Sequence, residues 1–212
     1  MAKSIIWDWN GTLLDDIDLC ISTINVLLQK RELPILTRDL YREVFSFPVK
    51  EYYKTIGFDF NKEDFAIPAR EYIDLYNSQV EICSLYHPAT DILTHFKDLG
   101  FRQFVLSAME QSMLLKTLKH NKILHFFEAV AGLDNHYAVS KVERGILFIQ
   151  QHHIEKNDAT LIGDTTHDFE VAGNLGIDCI LIANGHQSEE RLKKTGAVVL
   201  QKLEILKTVI TV

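Results

Sequence analysis

Three consecutive apolar residues, Ile5, Ile6 and Trp7, run directly into a carboxylate and a tight polar turn, Asp8-Trp9-Asn10-Gly11-Thr12. An unbroken apolar run suits a parallel strand covered on both faces, whereas a half-exposed antiparallel strand alternates apolar and polar residues. Asp8 then stands where the strand leaves the sheet. A carboxylate there serves as a nucleophile, as a metal ligand, or as a turn residue bonded to its own backbone. Gly11 lets the chain bend away with its backbone open to a ligand, and the Thr12 hydroxyl ties the turn.

Beyond this turn the pattern becomes helical. Ile17, Cys20, Ile21, Ile24, Leu27 and Leu28 recur at three- and four-residue steps, with Asp15 and Asp16 at the acidic N-terminal end. Leu33-Pro34 ends this helix, Thr37 caps a short one, and Phe47-Pro48 opens another that stops at Gly57. Asn61 is expected to cap a longer helix reaching Ile82, with Pro68 as a kink or restart. From Tyr86 strands and helices alternate: helix Pro88 to Leu99, strand Gln103 to Ser107, helix Met109 to His120, strand Ala129 to Ala131. A helix over Lys141 to Gln151, a strand over Ala159 to Gly163, a helix from His167 to Leu175 and a strand over Cys179 to Ala183 follow. Val198 to Leu200 is a last short strand, and Leu203 to Val212 a docking helix.

The fold class expected is α/β, a doubly wound parallel sheet of Rossmann type whose first strand is separated from the rest by an all-helical insertion. Residues 1–14 and 85–212 are assigned to the core and 15–84 to the inserted cap. Ligands in such sheets bind beyond the carboxyl ends of the strands, where strand order reverses.

A net charge of -7 without a basic block argues against a sequence-independent nucleic-acid binder, which needs clustered lysine and arginine to neutralise phosphates. Cys20, Cys83 and Cys179 are odd in number and far apart, and read as reduced and buried rather than as a disulfide or zinc framework. Met1-Ala2-Lys3 leads straight into the first strand, and no apolar run is long enough to span a bilayer. A cytoplasmic, non-membrane protein is expected.

Three later stretches join Asp8. Val105-Leu106-Ser107-Ala108 sets a hydroxyl and the following N–H at a strand end, two donors that suit a phosphate oxygen, or else a serine that caps the next helix. Ser140-Lys141-Val142-Glu143 places a lysine at a helix start, where the dipole disfavours a cation and an anionic partner is called for, unless the lysine is simply exposed. Leu161-Ile162-Gly163-Asp164-Thr165-Thr166-His167-Asp168 delivers two carboxylates to one turn. Beside Asp8 such a pair repels unless a cation lies between, and hard oxygen ligands with open positions suit Mg²⁺; two helix-capping aspartates are the alternative.

In order and separation, Asp8-x-Asn10-Gly11-Thr12, Ser107, Lys141 and Gly163-Asp164-x-x-x-Asp168 resemble the four motifs of the haloacid dehalogenase superfamily of phosphohydrolases. The helical insertion looks like its C1-type cap. Ala183-Asn184-Gly185-His186 with Ser188-Glu189-Glu190 looks like the phosphoglycolate phosphatase branch. The resemblance implies that Asp8 attacks phosphorus and forms an aspartyl-phosphate. It implies Mg²⁺ held by Asp8, the Asn10 carbonyl, Asp164 and Asp168, the last directly or through water. It also implies a phosphoryl group held by Ser107, the N–H of Ala108, Lys141 and the N–H groups of Trp9 and Asn10. A small phosphorylated metabolite, phosphoglycolate-like, is the expected substrate.

Two residues depart from that pattern. Val142 follows Lys141 where proline is frequent, a change expected to be tolerated because that proline only pre-sets a helix start. Asn10 stands where these phosphatases carry the aspartate that protonates the leaving oxygen and then activates water. An amide does neither, and general acid–base catalysis is worth about 10² to 10⁴ in rate, so alkyl esters are expected to turn over slowly. Asp15, Asp16 and Glu51 are the candidates to replace it. The same position is non-acidic in phosphonoacetaldehyde hydrolases, where a cap lysine forms an imine; Lys50 occupies a comparable place, although a solvated helix lysine is the plainer reading. Lys50, Lys54 and Arg42 are also candidate contacts for a substrate carboxylate. A phosphate-binding regulator that has lost turnover is a further alternative.

Overall fold

The computed structural model describes residues 3–133 and 141–211, so Ser140 of the lysine motif and His136 lie outside the described residues. Strand β1 (Ser4–Trp7) is followed by α1 (Ile17–Lys30), α2 (Arg38–Val44), α3 (Val49–Thr55) and α4 (Ala66–Gln79), the last running on into a 3₁₀ turn at Val80–Ile82. Next come α5 (Ala89–Asp98), β2 (Arg102–Glu110), α6 (Gln111–His120), β3 (Ala129–Leu133), α7 (Lys141–Gln151), β4 (Ala159–Gly163), α8 (Thr166–Leu175) and β5 (Asp178–Ile182). The chain closes with α9 (Glu189–Lys193), β6 (Val198–Leu200) and a short α10 (Leu206–Val209).

The strands form one sheet in the order β3-β2-β1-β4-β5-β6, parallel throughout. This is the doubly wound arrangement, with its reversal of order between β1 and β4. Apolar side chains leave the sheet alternately to two separate clusters. Ile5, Trp7, Val105 and Ile162 join one, and Ile6, Phe104, Leu106 and Leu161 join the other. Both faces are therefore covered, as the unbroken run at Ile5 to Trp7 requires. Fully burying each such side chain contributes about 1.5–3 kcal/mol to holding the strands in the sheet. Trp7 brings a polar atom into this core and satisfies it: its Nε1 donates to Gln103 Oε1 at 3.1 Å, and Gln103 Nε2 donates to the Leu93 carbonyl.

The first of the two clusters continues past the sheet into α1–α4, taking in Leu27, Tyr53 and Phe58. Thr37 caps α2 by accepting from the Leu40 N–H, and Gly57 adopts a positive φ beyond α3, both as expected. Two expected helix starts move, and the expected helix from Leu203 is reduced to a 3₁₀ turn at Leu203–Ile205 followed by the one-turn α10. Helix α4 begins at Ala66 rather than near Asn61, because Asp64 Oδ1 accepts the Ala66 N–H while Asn61 sits in a turn on Asp59. Pro68 then falls in the first turn of α4, where a missing N–H costs nothing, and starts no kink. Helix α6 begins at Gln111 rather than Met109, since β2 runs on through a register irregularity between Leu106 and Glu110 and the Glu110 carboxylate caps the helix. Cys20 is buried, but Cys83 and Cys179 are half-buried; all three are unpaired. Among the described residues no helix is long and apolar enough to cross a membrane.

Candidate active site

Asp8 leaves β1 at the point of strand reversal, with its N–H bonded to the Ile162 carbonyl of β4 at 2.8 Å. Asp164 follows the end of β4 directly. Gly11 and Gly185 let two turns close on this point. Gly11 has φ +70°, and a Cβ on either residue would collide with the Asp164 carboxylate. The Asp164 oxygens accept from Thr12 Oγ1 at 2.9 Å and from the His186 N–H at 2.6 Å. Thr12, read as a turn residue, thus braces the carboxylate of a second strand.

Asp168 has two tasks. As the third residue of α8 it forms a capping box with Thr165, and its Oδ2 accepts from Thr165 N, Thr165 Oγ1 and Asp164 N. Its other oxygen accepts from Lys141 Nζ at 2.6 Å. Lys141, the first residue of α7, also donates to Asp8 Oδ1 at 2.5 Å and is buried between the two carboxylates. The anionic partner expected for a lysine at a helix start is therefore a pair of aspartates.

Three buried carboxylates, Asp8, Asp164 and Asp168, offer oxygen atoms within 4.8 Å of one another, and the Lys141 ammonium bridges two of them, Asp8 and Asp168. Burial, reinforced by Asp168 and Asp164 against Lys141, pushes Asp8 up to about 8. Burial likewise pushes Asp164 up to about 6, against the opposing charge of His186. Asp168 is held below the usual carboxylate range because Lys141 and Thr165 together outweigh its burial. A compact, all-oxygen, strongly anionic donor set of this kind fits a hard divalent cation such as Mg²⁺. Ser107 is buried and its Oγ accepts the Met109 N–H at 3.0 Å, so its own hydroxyl proton remains available to an oxygen in the cavity that it lines with Ala108.

Asn10 belongs to a second network. Its Nδ2 donates to Asp16 Oδ2 at 2.8 Å and to Tyr76 Oη at 2.7 Å, and Tyr76 itself donates to Asp16 at 2.6 Å. The Gly11 N–H and His186 Nε2 reach the other Asp16 oxygen at 2.9 and 3.3 Å. Burial opposes ionisation of Asp16, yet His186, Tyr76 and Asn10 together hold it below the usual carboxylate range. The same ion pair raises His186 to about 9 despite its burial. Of the three candidates to replace the missing acid, Asp16 lines the cavity, while Asp15 is exposed at the surface and Glu51 pairs with Lys54 at 2.7 Å. His186 and Tyr76 were not singled out from the sequence as site residues. His186 stood within a quoted stretch, and nothing local marks a tyrosine late in α4 as facing β1.

The cavity in front of Asp8 measures about 360 Å³ and lies between the strand ends and α1–α4. Asp8, Asn10, Ser107, Ala108, Lys141 and Asp168 all line it. Trp9 is fully buried behind the turn, and Asp164 is likewise buried. The three cations expected to meet a substrate carboxylate are not among the lining residues. Arg42 instead donates to the carbonyls of Ala183, Gly185 and Gln187, at 2.6, 3.1 and 3.0 Å, and so ties α2 to the loop after β5. Lys54 bonds Glu51, and Lys50 is exposed, with its Nζ over the rings of Phe60 and Phe65 at 5.8 and 6.0 Å. Each is thus engaged by a carbonyl, a carboxylate or a ring of its own surroundings, contacts that charge and helical position alone do not reveal.

The model of the haloacid dehalogenase-like hydrolases matches residues 5–182, which takes in Asp8, Ser107, Lys141, Asp164 and Asp168. The chain belongs to this family. A haloacid dehalogenase-like hydrolase from Streptococcus pneumoniae superposes with a TM-score of 0.84 at 20% identity, with 99% of both chains covered. The phosphoglycolate phosphatase of Caulobacter vibrioides is 24% identical over 99% of this chain and 92% of its own length. The tyrosine-protein kinase PtkA of Mycobacterium tuberculosis is 23% identical over 92% of this chain and 67% of its own. The family resemblance read from the four motifs thus holds, and the chain is a haloacid dehalogenase-like hydrolase akin to the phosphoglycolate phosphatases.

Proposed function

We propose that this haloacid dehalogenase-like hydrolase is a Mg²⁺-dependent phosphohydrolase of a small phosphorylated metabolite, acting through an aspartyl-phosphate on Asp8. The observation that carries this reading is the juxtaposition of Asp8, Lys141, Asp164 and Asp168 at the strand reversal, beside the cavity. Asp8, Asp164 and the Asn10 carbonyl would hold the metal, with Asp168, which also anchors Lys141, joining them directly or through water. Bound there, Mg²⁺ supplies charge neutralisation for Asp8 and for the phosphoryl oxygens.

Asp8 attacks phosphorus, and Lys141 balances the charge that moves onto the phosphoryl oxygens while it keeps Asp8 oriented. Ser107 Oγ and the N–H groups of Ala108, Trp9 and Asn10 bind the remaining oxygens. Helices α1–α4, held down by Arg42, act as the cap that excludes water from the transfer. Asn10 favours one second reading, a phosphate-binding protein of low turnover, because it donates to Asp16 and carries no transferable proton. Lys50, exposed and outside the cavity lining, gives the imine route no support.

Acetyl phosphate separates these readings, since its leaving group needs no protonation. Hydrolysis that requires Mg²⁺, stops with chelator and is lost in Asp8→Asn is expected. Full activity in Asp8→Asn would sink the nucleophile assignment, and calorimetric binding of phosphate and Mg²⁺ without any turnover would favour the binding protein.

A further inference from the structure

The wall of the cavity opposite Asp8 is built from rings. Tyr52 and Tyr53 of α3, Phe65 beside α4, Tyr72 of α4, and Phe45 and Phe47 between α2 and α3 all line it. They pack on one another edge-on or tilted, with centroids 5.3 Å apart for Phe45 and Tyr52 and 5.7 Å for both Tyr52–Tyr53 and Tyr53–Phe65. Lys141 is the one lysine or arginine among the described lining residues, and it is already spanned by two aspartates. Asp16 and Glu110 face the same space. His167 and His186 line it too, each beside a carboxylate, Glu170 and Asp16 respectively, so a second anionic group on the substrate meets apolar faces and side chains already partnered, whereas a flat apolar group meets ring edges and faces suited to it. The Tyr52 hydroxyl is buried and has no hydrogen-bond partner among the described residues.

An independent observation concerns the leaving group. Asn10 stands where the family resemblance implies the acid for the leaving oxygen, and its amide donates to Asp16 and Tyr76. The side chain of residue 10 itself offers no acidic proton to a departing oxygen. An alkoxide leaves poorly without one, whereas an oxygen whose charge spreads into a ring leaves unaided.

Resting on the phosphohydrolase reading above, we infer that the substrate is an aryl phosphate monoester, its ring held in the aromatic wall and departing as the phenolate. In the first step an Asp8 oxygen bonds to phosphorus as the phosphorus–aryl oxygen bond breaks, and the electron pair leaves on the aryl oxygen. In the second, water bonds to phosphorus, the bond to Asp8 breaks with its electrons returning to the carboxylate, and both protons of that water leave on dihydrogen phosphate. Neither step takes a proton from residue 10.

The test is a substrate series with Mg²⁺ present: acetyl phosphate, 1-naphthyl phosphate, phenyl phosphate, 2-phosphoglycolate and glycerol 3-phosphate. The expected result is a kcat/KM for 1-naphthyl phosphate at least 100-fold above those of both alkyl esters, with phenyl phosphate between. Calorimetry on the Asp8→Asn protein should show 1-naphthyl phosphate bound at least 10-fold more tightly than 2-phosphoglycolate, a comparison free of leaving-group effects. A tyrosine-phosphorylated peptide in the same series tells a free aryl ester from one carried on a polypeptide. Acetyl phosphate turned over through Asp8 alongside equal or faster hydrolysis of 2-phosphoglycolate would overturn the aryl assignment and leave the phosphohydrolase reading standing. Failure to hydrolyse acetyl phosphate as well as every ester would remove that reading, and the aryl assignment with it.

Discussion

The two walls of one cavity are made of different material. On the sheet side Asp8, Asp164, Asp168 and Lys141 are wired to one another and to the backbone by hydrogen bonds of 2.5–3.2 Å. On the helical side rings pack on rings, and Tyr52 Oη has no hydrogen-bond partner among the described residues. The first wall is electrostatically specified and tolerates no substitution of charge. The second is specified by shape and by exclusion of water, and small changes there alter which molecule enters. Asn10 stands on the seam, with its backbone in the turn of the first wall and its side chain committed to Tyr76 of the second.

That contrast breaks most sharply at Asp8. Replacing it by asparagine keeps the shape and removes the nucleophile, so kcat should fall by at least about 10⁴-fold, measured with acetyl phosphate. Lys141→Met tests whether the sheet wall is held by charge. It leaves Asp8 and Asp168 buried together without their cation and should lower stability by about 3–5 kcal/mol in denaturant unfolding. An unchanged unfolding midpoint would mean that the ion pair is replaceable by packing alone.

Asn10→Asp sharpens the comparison at the seam. The new carboxyl would face Asp16, and two carboxyl groups so close hold a proton between them. The ratio of alkyl to aryl hydrolysis should rise by about 10²-fold, the lower end of what general acid catalysis supplies. An unchanged ratio would show that residue 10 never limited leaving-group departure. Arg42→Ala releases three carbonyls on the loop after β5 and should cost about 2 kcal/mol of stability. Its mark on catalysis should be a raised KM with kcat nearly kept, because it loosens the helical wall and not the carboxylates.

The smallest effect lies on the outer face of the helices. Glu71 bonds Lys30 and Arg31, and those two, Lys30 first, hold its carboxyl below the usual range of about 4.5 against slight burial. The stabilisation is present above that range and is lost as pH falls through the lowered value. As a half-buried surface pair it contributes at most about 1 kcal/mol. Glu71→Gln should therefore lower Tm by a few degrees at pH 7 and by less at pH 3, an effect checked by thermal melts at the two values.

The sheet wall was legible in the sequence because its residues are set by local rules. An apolar strand buried on both faces ends in a turn, so Asp8, Asp164 and the helix-start Lys141 fall at strand and helix termini that a one-dimensional pattern marks. Helix starts at Ala66 and Gln111 were displaced by four or five and by two residues, because Asp64 and Glu110 captured the free N–H groups first, a competition between neighbouring side chains that propensity does not resolve.

The sequence alone determined the parallel sheet, the order of its motifs, the family and the absence of an acid at position 10. Those follow from periodicity and from residue chemistry that no folding changes. Only the tertiary structure decided that His186 and Tyr76 share Asp16 with Asn10, that Arg42 clamps the loop after β5, and that six rings from separated stretches form one wall. Burial is the physical reason. Which of several aromatic or cationic side chains faces a cavity depends on how helices distant in sequence are turned against the sheet, and that rotation is set by packing over the whole core.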